Sequence, residues 1–188
     1  MNTLSKLPPL PSLLGFGVAA TRLGAAHEAT VTEFCRQCSE FFTLVRGEAS
    51  AAETARLLLE SRPPSVDLAR KHVIGFERSG EIVAVVDLLE GFPGDAEWYV
   101  GLLLLAPGER ARGFGTAVWN TTEAWIRAAG GRQLRLIVQE QNPAAAHFWR
   151  SVGFTANGEV EQVLAGRTNL CWRFEKQLAV SPSRVKST

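Results

Sequence analysis

The chain has 188 residues, of which 46% are hydrophobic, and its formal net charge is +1. This length and composition are typical of one folded domain, and the near-zero charge gives no field that would attract nucleic acid or an anionic membrane. The three cysteines cannot all pair within one chain, which favours a reducing compartment and a cytoplasmic protein.

Both ends of the sequence predict flexible tails around one domain. Residues 1–12 are rich in proline, and residues 179–188 are polar without an apolar period. Arg22 and the prolines argue against a signal peptide, and no apolar window is long enough to span a bilayer. We therefore expect a single domain over residues 13–178, with no membrane and no nucleic-acid partner.

The first half of the domain predicts a strand, two helices and a hairpin. Apolar spacing and turn residues indicate a strand over 17–23, helices over 30–45 and 51–60, and a β-hairpin of strands over 72–76 and 82–89. A cluster of glycine and proline at 91–95 then predicts a turn.

The second half predicts a βαβ unit. Residues 98–105 are a nearly continuous apolar run, typical of a strand buried on both faces, and Gly101 within it suggests a bulge or a close approach. A helical pattern from Thr116 follows, and then an apolar strand over 134–138, so the crossover makes the two strands parallel.

The end of the domain predicts one more helix and a closing pair of strands. Asn142 and Pro143 combine a capping residue with proline at the first helical position, so a helix begins there and ends near Gly153. Residues 159–164 and 170–174 indicate the last two strands.

A glycine loop with two arginines precedes the helix of the βαβ unit. A helix N-terminus can hold an anion because its first N–H groups lack partners, and Arg110, Arg112, Gly113 and Gly115 would suit a diphosphate. The loop lacks the GK[ST] of a Walker motif, and Val118 stands where the dinucleotide motif GxGxxG requires Gly or Ala. On the loop alone, an ordinary glycine turn with solvated arginines remains an alternative.

Two motifs together resemble the GNAT superfamily of N-acetyltransferases. RARGFG at 110–115 resembles its [RQ]-x-x-G-x-[GA] loop, and NPAAAHFWRSVGF at 142–154 resembles its N-x-x-A-x-x-[LF]-Y-x-x-x-G-F segment, with Trp149 in place of tyrosine. The resemblance implies an α/β, three-layer fold with a mixed central sheet of about six to seven strands, helices on both faces and a splayed parallel pair. It also implies acetyl-CoA as cosubstrate.

The same resemblance implies the residues that bind acetyl-CoA. The strand end would bind the pantetheine arm and the loop the diphosphate, with two more residues on the following helix: Leu103, Leu104, Leu105, Arg110, Ala111, Arg112, Gly113, Phe114, Gly115, Thr116, Asn142 and Trp149. Asn142 alone could equally be a helix cap, and the two roles are compatible if the backbone makes the cap.

Acetyl transfer to an amine requires a base, because an alkyl ammonium has a pKa near 10. Tyr99 stands about where some family members have a catalytic glutamate, so we expect Glu97, on the same strand face, to act directly or through water. A solvated strand-end carboxylate is the alternative for Glu97. Trp149 occupies the position of a tyrosine that often protonates the leaving thiolate; since indole cannot do this, Tyr99 could be the donor.

Four aromatic residues are candidates for the acceptor site, although aromatic side chains also fill cores: Phe41, Phe42, Phe92 and Trp98. We expect transfer by direct attack in a ternary complex, to a primary amine of a small molecule. A protein lysine or N-terminal acetyltransferase and a non-catalytic acyl-CoA-binding module remain alternatives, and family members are often homodimers.

Other chemistry has little support. Cys35 and Cys38 form a CxxC pair, but within a helical pattern, and the three histidines have no metal-ligand spacing. We expect no metal.

Overall fold

A computed structural model describes residues 7–11, 13–47, 50–164 and 166–179. The described chain forms seven strands, Ala19–Leu23 (β1), Lys71–Arg78 (β2), Glu81–Glu90 (β3), Glu97–Leu105 (β4), Gln133–Gln139 (β5), Thr155–Leu164 (β6) and Arg167–Gln177 (β7). It also forms five α-helices, Glu28–Gln37 (α1), Ser39–Arg46 (α2), Ala51–Glu60 (α3), Phe114–Ala128 (α4) and Pro143–Ser151 (α5).

The strands form one mixed sheet in the order β1-β2-β3-β4-β5-β7-β6. All neighbouring pairs are antiparallel except β4 and β5, which α4 connects as a crossover. Buried side chains form one core between the sheet and α4 and α5, and a second core between the sheet and α1, α2 and α3. The predicted α/β fold, a mixed sheet of about six to seven strands with helices on both faces, is confirmed, and the sheet has seven strands.

The parallel strands β4 and β5 separate soon after they meet. They pair only at Glu97↔Gln133, Trp98↔Leu134 and Tyr99↔Arg135, although β4 continues to Leu105. The rest of β4 therefore turns an edge of backbone N–H and C=O groups toward β5 without pairing to it. This is the predicted splay.

Gly101 forms the bulge that its position in the apolar run suggested. Across the β3–β4 register, Asp87 is opposite Leu102 and Leu88 is opposite Val100, so Gly101 is the extra residue. The bulge changes which residues share a face: Val100 and Leu103 both face the α4 and α5 side, whereas strict alternation would separate them.

The single helix expected over 30–45 is two helices. Cys38 has φ −98° and ψ 20°, and α1 ends there while α2 begins at Ser39. Its buried thiol lies 3.7 Å from the carbonyl oxygen of Leu105. Packing against β4 thus accompanies the break, and α2 then places Phe42 in the same core as α1.

The element ends differ from the expectations at a few other positions. Residues 7–11 were expected in a flexible tail, but Leu7 and Leu10 pack on the core and Trp125 Nε1 donates to the carbonyl oxygen of Pro8 at 3.1 Å. The other expected tail positions, residues 1–6, 12 and 180–188, lie outside the described residues. The last two strands are longer than the expected 159–164 and 170–174 because they pair as one long hairpin.

Candidate functional site

A cavity of about 550 Å³ opens where β4 and β5 part. Its floor comes from residues 100–103 of β4 and 136–139 of β5, and α2, α3 and the segment after α3 cover it. The unpaired backbone edge of β4 therefore faces an open space that a small molecule can enter.

A second cavity, of about 290 Å³, adjoins the first. It runs from the end of β4 to the glycine loop and the first turn of α4, and it shares Leu103, Ala145 and Trp149 with the larger cavity. The two cavities adjoin at these residues and together make up the cleft, which extends from the loop to the space between β4 and β5.

The loop before α4 has the backbone of an anion-binding turn. Ala111 has φ 62° and Gly113 has φ 75°, both in the left-handed region, and Gly113 is the N-cap of α4. Ala117 N donates to Gly113 O at 3.1 Å, so the helical hydrogen bonds begin there and the N–H groups before it have no intrahelical acceptor. The positive end of the helix dipole adds to this preference for an anion.

Glycine is favoured at the two positions of the loop for different structural reasons. A Cβ on Gly113 would meet nothing within 4 Å, so space is open in front of it, but its positive φ disfavours other residues. A Cβ on Gly115 would lie 3.1 Å from the Leu105 side chain. This open space, the loop amides and the adjacent arginines fit the diphosphate of acetyl-CoA, and the unpaired edge of β4 fits its pantetheine arm.

Nine of the twelve expected cofactor residues line the cleft. They are Leu103, Leu105, Arg110, Ala111, Gly113, Gly115, Thr116, Asn142 and Trp149. The other three do not: Arg112 is exposed outside the lining, while the side chains of Leu104 and Phe114 are buried in the two cores.

Arg110 and Asn142 both make bonds within the chain. The Arg110 guanidinium donates from Nε and Nη2 to Leu105 O, each at 3.4 Å. Asn142 Oδ1 accepts from Ala145 N at 3.1 Å, so the cap of α5 is made by the side chain and not by the backbone alone. Trp149 is buried edge-on against Trp119, with ring centroids 4.8 Å apart, while one side lines the cleft.

Asp87 is the carboxylate that the sequence reasoning missed. It lies on β3, lines the larger cavity, and accepts from Lys71 Nζ at 2.6 Å; the Lys71 side chain is 1% exposed and that of Asp87 14%. A Cβ on Gly101 would lie 2.8 Å from Asp87 Oδ2, so the glycine of the bulge makes room for this carboxylate. A single acidic residue in the apolar run IVAVVDLL was the signal that could have found it.

Tyr99 lines the same cavity, and its ring packs edge-on against Phe92 with centroids 5.8 Å apart. Burial raises the pKa of Tyr99 to about 12, with smaller contributions from Cys171 and Asp87. The phenol is therefore protonated near neutral pH and can donate a hydrogen bond, although the raised pKa makes it a weaker acid than a free tyrosine.

Two of the expected catalytic and acceptor residues lie away from the cavity. Glu97 forms an ion pair with Arg135 of β5 and is outside the lining. Trp98 is 2% exposed and stacks on His72, with ring centroids 5.2 Å apart, in the core beneath α4. Phe41, Phe42 and Phe92 do line the cavity.

The part of the chain that the structure describes holds no cluster of three or more His, Cys, Asp or Glu that could bind a metal. Its cysteines are free thiols, and burial raises the pKa of Cys38 to about 11 while Arg110 opposes this shift. None of the described helices is both long enough and apolar enough to cross a membrane.

Comparison with known proteins agrees with this geometry. The sequence profile of the Acetyltransferase (GNAT) family matches residues 34–154, and a search of curated protein sequences gives no match. Similar solved structures include a protein from Desulfovibrio desulfuricans assigned to the GNAT family (16% identity, 86% of this chain and 99% of that chain, TM-score 0.68). An acetyltransferase from Thermus thermophilus is 20% identical (86% and 97%, TM-score 0.66).

A third similar structure is the spermidine N-acetyltransferase of Vibrio cholerae in complex with CoA and spermine (15% identity, 86% and 96%, TM-score 0.64). At these identities the structures show a shared fold, and the profile covers well over half of the sequence. The chain therefore belongs to the GNAT family of acetyltransferases, as its two motifs predicted.

Proposed function

We propose that this protein transfers an acetyl group from acetyl-CoA to a primary amine of a small molecule in the cytoplasm. The observation that carries the proposal is the pair of adjoining cavities, one at an anion-binding loop and one beside the unpaired edge of β4, where aromatic walls surround a carboxylate and a phenol. Such a cleft offers separate places for a nucleotide-linked acyl donor and an acceptor, as direct attack in a ternary complex requires.

The cofactor half of the cleft would bind acetyl-CoA through its diphosphate and its pantetheine arm. The amides of the loop and of Gly115 and Thr116, with Arg110, would bind the diphosphate. The backbone of β4 beyond Tyr99 would bind the pantetheine arm, since its hydrogen-bonding groups need partners on this side. Bound acetyl-CoA supplies an activated thioester, so the chain needs to supply only orientation and proton transfer.

Asp87 is better placed than Glu97 to take the proton of the acceptor ammonium. Asp87 lines the cavity, whereas Glu97 lies beyond it and is paired with Arg135. An alkyl ammonium with a pKa near 10 must lose a proton before it can attack, and a carboxylate in the cavity can accept it directly or through water. We therefore propose Asp87 as the base and Tyr99 as a hydrogen-bond donor to the leaving thiolate, which can leave without full protonation because a thiol has a pKa near 8.5.

The binding half of this proposal can be tested by calorimetric titration with acetyl-CoA, CoA, ATP and NAD at equal concentrations. We expect micromolar binding that is selective for acetyl-CoA and CoA. The Gly113→Asp variant should weaken acetyl-CoA binding at least about a hundredfold, because it brings a negative charge to the diphosphate site. Gly113→Asn is the matched control, since asparagine has the same size, tolerates a positive φ and carries no charge.

Each outcome has a clear meaning. Equal losses in the Asp and Asn variants would show that backbone strain, not charge, explains the effect. Selective binding of NAD or ATP would overturn the proposal. Tight binding of acetyl-CoA, with no release of CoA in the presence of any amine of a broad panel, would favour the acyl-CoA-binding module instead.

A further inference from the structure

We infer that the acceptor is a primary monoamine with an apolar body, and that its single ammonium group docks at Asp87. This inference rests on the proposed acetyl transfer and concerns the substrate class of the same site. It follows from the charges and the walls of the larger cavity.

The cavity carries very little negative charge. Among the described residues that line it, Asp87 is the one acidic residue and Arg62 the one basic residue. Asp87 is already paired with Lys71, whose side chain is almost wholly buried behind it. One ammonium can share this carboxylate, but a polyamine would bring further ammonium groups with no carboxylate among these residues to meet them, and an unpaired desolvated charge is costly.

Arg62 is an exposed residue of the cavity lining, and hydrogen bonds hold its guanidinium in place. Its Nε donates to Val66 O and its Nη1 to Glu60 O, both at 3.0 Å. A fixed guanidinium there repels a second positive charge on the acceptor. The charge of Arg62 thus adds to the selection against polycations.

The walls suit an apolar body. Phe41 and Phe42 pack edge-on at 5.3 Å between ring centroids, Phe92 packs in the same way on Tyr99, and Leu57 and Leu58 of α3 complete this side. An aryl or branched alkyl group buried here leaves water and contacts aromatic and aliphatic carbon. The polar end of such a molecule would then lie near Asp87, against the β4 bulge.

The experiment compares kcat/KM for phenethylamine, isopentylamine, putrescine and spermidine, measured by release of the CoA thiol at saturating acetyl-CoA. We expect the two apolar monoamines to exceed both polyamines by about tenfold or more. A preference for spermidine or putrescine would overturn the inference and leave the proposed acetyl transfer intact. If acetyl-CoA binds in the calorimeter but no amine is acetylated, both proposals fail.

A charge-gain pair tests the cause of the selectivity. Leu57→Glu adds a carboxylate to the cavity wall, and Leu44→Glu adds the same charge to α2 outside the lining; the two leucines are 38% and 48% exposed, so both variants should fold. We expect Leu57→Glu to shift the kcat/KM ratio of spermidine to phenethylamine upward by about fivefold, and Leu44→Glu to leave it unchanged. Equal shifts in the two variants, or none in Leu57→Glu, would contradict the inference.

Discussion

At the scale of single residues, the buried Lys71–Asp87 pair links stability to the proposed chemistry. The Lys71 ammonium, with 1% of its side chain exposed, is paired with the Asp87 carboxylate, and that carboxylate lines the cavity. Lys71 thus holds the carboxylate toward the cavity and against Gly101. Asp87, although solvent barely reaches it, is in this way held in one position from which it can accept one proton.

This arrangement predicts a separation of activity from stability. Asp87→Asn should lower kcat about a hundredfold, since it removes the base, and should lower the free energy of unfolding by about 3 kcal/mol, since it leaves Lys71 without a counter-charge. The double variant Lys71→Met/Asp87→Asn removes the buried charge, so it should recover most of the stability and none of the activity. Steady-state kinetics and denaturant unfolding measure the two effects.

Two further variants make this prediction decisive. Glu81→Gln, at the exposed start of β3, is the matched control and should change neither quantity. Glu97→Gln compares the two candidate bases: a hundredfold loss there, with Asp87→Asn near full activity, would restore Glu97 as the base.

Tyr99 can be titrated alone, because it is the only tyrosine in the chain. With a pKa raised to about 12 mainly by burial, the folded protein should form tyrosinate about two pH units above the ordinary value near 10. The raised pKa contributes stability that is fully present below pH 10 and is lost as the pH rises through about 12. Ultraviolet absorbance of tyrosinate measures the ionisation, and circular dichroism reports at each pH whether the chain is folded.

The same protein unfolded in guanidinium is the reference and should titrate near pH 10. In the folded protein, tyrosinate should appear only near pH 12 or together with unfolding. A folded protein that ionises near pH 10 would contradict a buried Tyr99.

At the scale of elements, β4 explains which site residues could be predicted from the sequence. The bulge at Gly101 and the glycine loop were predictable, because glycine is the residue that such backbone needs and the motif spacing is specific. Trp98 and Tyr99 could not both face the acceptor, since neighbours in a strand point to opposite faces. The core beneath α4 buries Trp98, so Tyr99 is the residue that faces the acceptor cavity. The sequence alone does not show where this core forms.

Pairing between strands explains the other differences at the site. Glu97 shares the face of Tyr99, but it lies where β4 still pairs with β5, so Arg135 of the neighbouring strand reaches it. Asp87 comes near the site through the antiparallel pairing of β3 with the bulged part of β4. Such contacts across strands depend on register, which the spacing of residues in one strand cannot give.

The break between α1 and α2 shows the same limit for helices. No glycine or proline stands at Cys38, so the usual stop signals were absent and the apolar spacing continued through it. The contact of Cys38 with β4 is tertiary, and it accompanies a turn that brings Phe41 to the cavity. The apolar pattern predicts helical structure over these residues, whereas the break at Cys38 accompanies a contact with β4 that the pattern does not contain.

At the scale of the whole molecule, the seven-stranded sheet is divided at its centre. Only three residue pairs connect β4 to β5. They connect the half of the sheet that contains β1 to β4 to the half that contains β5 to β7. In the proposed complex the pantetheine arm would bridge the two halves by bonding the free edge of β4. A ligand that binds only the folded chain across this division should therefore raise its thermal stability.

The size of this effect can be stated in advance. Acetyl-CoA at a hundred times its Kd should add about 2.7 kcal/mol to the free energy of unfolding. In a chain of 188 residues this raises Tm by about 5–10 °C. Differential scanning calorimetry with acetyl-CoA, NAD and no ligand measures the shift, and NAD should give none. The Gly113→Asp variant should lose the acetyl-CoA shift at the same ligand concentration while its ligand-free Tm stays near that of Gly113→Asn; an undiminished shift would mean that the loop before α4 does not hold the diphosphate.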